Sequence, residues 1–95
     1  MSSNQMRMRV VVSGLVQGVF FRHYTKEHAL RYNLTGWVKN RPDGKVEAVF
    51  EGKKENLSRM ANWCYQGSPS SQVIGVDIEH EEPTGEFSRF HIIYD

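Results

Sequence analysis

Val12-Ser13-Gly14-Leu15-Val16-Gln17-Gly18-Val19-Phe20-Phe21-Arg22 decides how this chain folds, because it passes from an apolar strand through a glycine-punctuated turn into an arginine at a helix start. Glycine lets a turn curl so that successive backbone N–H groups point inward, and the helix that follows adds the positive end of its dipole. Such a turn is a seat for phosphate, and Arg22 would add a planar, permanently charged fork for two of its oxygens. The stretch is not a Walker loop, since no Gly-Lys-Ser/Thr follows Gly18, and it lacks the dinucleotide-binding glycine fingerprint. A tight strand-to-helix connection is the plain alternative.

Outward from this stretch, periodicity predicts the remaining elements. Met8, Val10 and Val12 alternate with Arg7, Arg9 and Val11, a strand with one apolar face. Arg22 to about Tyr32 reads as a helix, with Phe21, Tyr24, His28 and Tyr32 close to one stripe and Lys26, Glu27 and Arg31 turned to water. Thr35–Asn40 is a second strand, and the turn Pro42-Asp43-Gly44 returns Lys45–Glu51 as its hairpin partner. Leu57, Met60, Ala61 and Cys64 fall at i, i+3, i+4 and i+7 of a helix over about Lys54–Tyr65, and Gly67 stops it. After the loop 67–71, Ile74, Val76 and Ile78 alternate in a fourth strand, and Phe90, Ile92 and Tyr94 in a fifth.

The order strand, helix, strand, strand, helix, strand, strand contains a split βαβ unit. It predicts an α+β, ferredoxin-like sandwich with two helices on one face of a mostly antiparallel five-stranded sheet. The first strand and the Lys45 strand belong inside that sheet, whereas the order does not say which edge the last strand takes. The second strand runs parallel to the first, so the loop before the first helix and Asn40 reach the same rim.

Ninety-five residues suffice for one core and not two, so residues 6–95 are expected to form one domain behind a short polar tail, 1–5, with no secretion signal. A net charge of +1 argues against broad capture of nucleic acid or an anionic membrane, and no apolar run approaches the roughly 20 residues that span a bilayer. The lone Cys64 fits a reducing cytoplasm and reads as core. His23, His28, His80 and His91 show no paired metal-ligand spacing, and no metal or other cofactor is expected. The acidic run Asp77, Glu79, Glu81, Glu82 reads as a solvated strand face.

Gly36-Trp37-Val38-Lys39-Asn40, followed by Arg41-Pro42-Asp43-Gly44-Lys45-Val46 and Gly52, joins the first motif in a pattern that resembles the acylphosphatase family, residue by residue over both motifs and in element order over nearly the whole chain. The resemblance implies an acylphosphatase-like fold and hydrolysis of acyl phosphates, small-molecule substrates, to carboxylate and inorganic phosphate. It implies a phosphoryl group held by Leu15, Val16, Gln17, Gly18, Val19, Phe20, Phe21 and Arg22, and a hydrolytic water positioned by Asn40. An amide is no base near neutral pH, but it can orient a water, and a carboxylate leaves without a strong acid's help. The expected enzyme is monomeric, needs no metal, and binds inorganic phosphate or sulfate in competition with substrate. Ferredoxin-like sheets also serve RNA recognition, which leaves a non-catalytic phosphate-ligand or RNA-binding module as the alternative, although no RNP1-like pattern is present. Acylphosphatase-like domains also occur within larger, carbamoyl-phosphate-processing proteins.

Overall fold

The computed structural model describes residues 4–94. The elements run β1 (Gln5–Leu15), α1 (Phe21–Arg31), β2 (Thr35–Asn40), β3 (Val46–Lys53), α2 (Lys54–Gln66), β4 (Gln72–Glu81) and β5 (Phe90–Ile93). Residues 1–3 of the expected tail lie outside the described residues, and Gln5, expected in the tail, already pairs with Lys53. The strands lie in the order β4-β1-β3-β2-β5. Each pair is antiparallel except β2–β5, which is parallel, so the sheet is mixed. The last strand thus takes the edge beside β2, where Phe90 stacks on Phe50 with ring centroids 5.3 Å apart. Such a parallel neighbour is invisible to local periodicity, because it depends on a pairing between strands far apart in sequence.

The core forms between one sheet face and the helices. Met8, Val10 and Val12 meet Val46, Ala48 and Phe50 from β3, with Leu57, Met60 and Cys64 of α2 above them. The face α1 turns inward differs from the expected aromatic stripe: Phe21, Thr25 and Ala29 are buried, whereas Tyr24, His28 and Tyr32 are partly exposed. Small residues let the helix close onto the sheet, and Thr25 Oγ1 satisfies itself on the carbonyl of Phe21 at 2.8 Å. The displaced aromatics instead face α2, where His28 stacks on Trp63 at 4.6 Å. Ile74, expected on the apolar side of its strand, is 81% exposed, and Val73 packs against the core instead. The β1–β4 register shifts between Ser13 and Gly14, which leaves Ile74 without a partner and turns the start of β4 over.

The other sheet face is ionic. Arg7 and Arg9 stand on β1 between Glu51 and Glu47 on one side and Glu81 on the other, and Arg7 bonds Glu81 at 2.9 Å while Arg9 bonds Glu47 at 2.6 Å. Glu51 is almost wholly buried and accepts hydrogen bonds from Arg7 Nη1, from the N–H groups of Thr84 and Gly85, and from the Thr84 hydroxyl. Burial pushes its carboxyl up, but these donors together outweigh burial and hold it below the ordinary glutamate value. At Glu81 the Arg9 hydrogen bond is the main cause of the same downward direction.

A carboxyl whose pKa is lowered by folding stabilises the native state fully above its unfolded value, and the contribution disappears as pH falls through the lower folded value. Stability against unfolding should therefore begin to drop as pH falls below about 4.3, the ordinary glutamate value. Glu51→Gln should cost about 2 kcal/mol at pH 7, since hydrogen bonds to a charged group lose their charge assistance. Urea denaturation between pH 7 and pH 3 checks both: the variant should be less stable at pH 7 and lose less than the parent on acidification.

Candidate active site

The loop between β1 and α1 is built from backbone conformations that most residues avoid. Gly14 has φ 125° and packs its Cα against the Gln72 carbonyl, so any side chain there would collide with β4. Its job is this close approach within β1, not the curl of the loop. The curl belongs to Gly18, at φ 76°, and to Phe20, at φ 61° in the left-handed region directly before α1.

Two struts fix the loop from outside. Gln17 Nε2 donates to the carbonyls of Arg41 and Lys45, at 2.8 and 2.9 Å, tying the loop to the β2–β3 turn. Ser68, buried near the start of the α2–β4 loop, donates through Oγ to the Val19 carbonyl at 2.9 Å. Sequence reading gave Ser68 no role, because its partner lies far away in the chain and a serine in a Gly-Ser-Pro-Ser-Ser run carries no local signal.

What the loop leaves unpaired is informative. Among the described residues, no protein acceptor bonds the backbone N–H groups of Gln17, Gly18, Val19 or Phe20. The first N–H groups of α1 have no partner within a helix by geometry, Phe20 supplies no side-chain cap, and no acidic residue occupies the first turn. Helix starts are ordinarily capped by an oxygen. Here the N-terminal donors of α1 have neither a side-chain cap nor an acidic first-turn residue beside them.

A cavity of about 340 Å³ opens at this point, lined by Val16, Gly18, Phe20, Phe21, Arg22, His23, Asn40, Ile92 and Tyr94. Arg22 and Asn40, from α1 and the end of β2, thus both line it. Arg22 Nη1 reaches the Ile93 carbonyl at 3.4 Å, and its guanidinium lies 4.9 Å from the Tyr94 ring centre. Arg7, Arg9 and Arg41 are ion-paired, whereas Arg22 has no carboxylate partner among the described residues. The Oδ1 of Asn40 is buried and accepts no hydrogen bond from the protein. An unpaired buried carbonyl costs about 1–3 kcal/mol and asks for an explanation.

Not every residue of the expected phosphate seat lines this cavity. Leu15 ends β1, pairs with Gln72 and faces a separate depression beside Gly44 and Lys45. The side chains of Gln17 and Val19 serve the loop's own packing, leaving only their N–H groups for a ligand. His23, Ile92 and Tyr94 join the wall although sequence reading assigned them no such place; His23 is paired with Glu27 at 3.2 Å. Burial pushes the Cys64 thiol up to about 12, which keeps it an inert core residue. Among the described residues, no group of three His, Cys, Asp or Glu could hold a metal ion, and no helix is long and apolar enough to cross a membrane.

The family model for acylphosphatase matches residues 8–92. An acylphosphatase from Geotalea uraniireducens is 49% identical over 90 residues, covering 95% of this chain and 99% of its own length. One from Pelotomaculum thermopropionicum is 50% identical over 88 residues, covering 93% of this chain and 96% of its own. The crystal structure of an acylphosphatase from Bacillus subtilis superposes with a TM-score of 0.90 at 37% identity, over 94% of this chain and 99% of that one. Two glycine-loop and asparagine motifs on a split βαβ sheet, with relatives matching along nearly their whole length, make this chain a member of the acylphosphatase family.

Proposed function

We propose that this enzyme hydrolyses acyl phosphates by direct attack of water, with Arg22 and the backbone N–H groups of the Val16–Phe21 loop holding the phosphoryl group and Asn40 aiming the water. The observation that carries the reading is that Asn40 lines the same cavity as Arg22, beside the unpaired N–H groups of the loop. The water oxygen forms the new P–O bond, the bond to the carboxylate oxygen breaks with its electron pair on the carboxylate, and the water's protons pass to phosphate oxygens. No protein base is needed, because the leaving group is already a good one and the work is positioning and charge neutralisation.

In this reading the charge of the phosphoryl group is met by protein donors alone. Exhaustive EDTA treatment should therefore leave the rate unchanged, and inorganic phosphate or sulfate should inhibit competitively. Loss of activity on chelation, restored by Mg²⁺ or Zn²⁺, would sink the mechanism. The enzyme acts in the cytoplasm, a reading supported by a lone cysteine that is free and buried. It acts as a monomer, which light scattering on the purified protein tests.

The RNA-binding alternative finds little support on the open sheet face. Of the two aromatic residues that could stack on bases, Trp37 and Phe20, the first has Lys39 over its ring and the second lies in the loop before α1 and not on a strand, while Arg7 and Arg9 are tied to carboxylates. Such a face offers a phosphodiester backbone no free cationic track.

A further inference from the structure

The polar and charged side chains buried among the described residues are those of Thr25, Glu51 and Ser68. Thr25 bonds within its own helix and Glu51 belongs to the ionic sheet face, whereas Ser68 reaches across from the α2–β4 loop to the carbonyl of Val19, 2.9 Å from its Oγ. Ser68 is itself held in place. Its carbonyl accepts from the N–H of Ser71 at 3.0 Å and from the Ser71 hydroxyl at 2.7 Å. Ser68 does not line the cavity of Arg22 and Asn40; it lines a separate groove along α1 and α2, so it grips the β1–α1 loop from behind.

What it grips is the Val19–Phe20 peptide. That peptide is trans, and in a trans peptide the C=O of one residue and the N–H of the next point in opposite directions. Drawing the Val19 carbonyl toward Ser68 therefore turns the Phe20 N–H away from the α2–β4 loop, and no protein acceptor among the described residues meets it there. This orientation is not the one Phe20 would adopt unaided. Its φ of 61° lies in the left-handed region, which is unfavourable for a bulky side chain, and its ring is 76% exposed, so packing does not enforce it. Half a turn of the Val19–Phe20 peptide would return φ to the negative range that side chains ordinarily occupy. The same half turn would replace the outward N–H by the Val19 carbonyl.

Resting on the phosphate-seat reading above, we propose that Ser68 is a positioning residue for the reaction: its hydroxyl locks the Val19–Phe20 peptide with the N–H aimed at the phosphoryl group and keeps the Val19 carbonyl turned away from it. Without the hydroxyl, the strain at Phe20 favours the flipped peptide, and a donor to the anion gives way to a carbonyl oxygen that repels it. Losing a hydrogen bond to a charged group in this way lowers affinity on the order of tenfold.

The test compares the parent enzyme with Ser68→Ala and Ser71→Ala. Ser71→Ala loses a hydrogen bond of the same kind in the same loop without touching Val19, so urea denaturation should show similar, modest losses of stability in both variants. The amide resonances of Gly18 and Phe20 are followed by NMR on isotope-labelled protein through a titration with inorganic phosphate at constant ionic strength. The inhibition constant of phosphate and kcat/KM for benzoyl phosphate are measured on the same samples. In Ser68→Ala the phosphate constant should rise on the order of tenfold and kcat/KM should fall by as much. The Phe20 amide proton, moved downfield by phosphate in the parent, should move far less. Ser71→Ala should keep the parental values. A folded Ser68→Ala protein with a parental phosphate constant, or with a parental response of the Phe20 amide, overturns the role of Ser68, and so does an equal loss in Ser71→Ala. If phosphate moves no loop amide in the parent itself, the phosphate-seat reading fails.

Discussion

Arg22→Gln is expected to lower kcat/KM for an acyl phosphate by about a hundred- to a thousandfold and to weaken inorganic phosphate binding along with it. The side chain supplies the only guanidinium lining the cavity, and among the described residues no carboxylate shares its charge. Glutamine removes both the charge and the planar fork, leaving the loop N–H groups and the dipole of α1 to hold the anion alone. Arg22→Lys should recover little, because an ammonium restores the charge without the two parallel donors and loses the stacking on Tyr94. Steady-state hydrolysis of benzoyl phosphate, with phosphate calorimetry on the same sample and circular dichroism to establish the fold, measures all three effects. A folded Arg22→Gln protein with near-parental kcat/KM would remove Arg22 from the site.

The sequence carried the parts of this structure that are local. Alternation at Met8, Val10 and Val12 marked the apolar face of β1, and Pro42-Asp43-Gly44 marked the turn, where Asp43 Oδ1 accepts from the Lys45 N–H. The motif around Arg22 and the Gly36–Asn40 stretch pointed to two residues that the fold brings to one cavity. What escaped reading depends on distant partners. The register shift at Gly14 turns Ile74 outward, a consequence of β1–β4 pairing and not of any pattern in β4. Thr25 and Ala29 displaced the aromatic stripe of α1 because helix placement follows how closely the backbone can approach the sheet.

The site follows the same rule. Gln17 and Ser68 hold the β1–α1 loop through carbonyls of Arg41, Lys45 and Val19, contacts that exist only once the hairpin and the α2–β4 loop are folded beside it. Tyr94 reaches Arg22 only because β5 pairs with β2. Phe20 reads in sequence as one more apolar residue before a helix; its strained backbone and exposure become visible only in three dimensions.

Asn40 tests the account most directly, because it is assigned to the water and not to the phosphate. An interaction made chiefly in the transition state lowers kcat when lost, while ground-state binding is left nearly intact. Asn40→Ala should therefore lower kcat on the order of a hundredfold or more, the size typical of losing one positioned polar group. It should also relieve an unpaired buried carbonyl, so the variant should unfold at no lower urea concentration than the parent. The decisive measurement is phosphate affinity by calorimetry and turnover of benzoyl phosphate on one preparation of Asn40→Ala. The account predicts near-parental phosphate affinity with kcat reduced about a hundredfold; a parental kcat, or a loss of phosphate affinity as large as the loss of kcat, would contradict it.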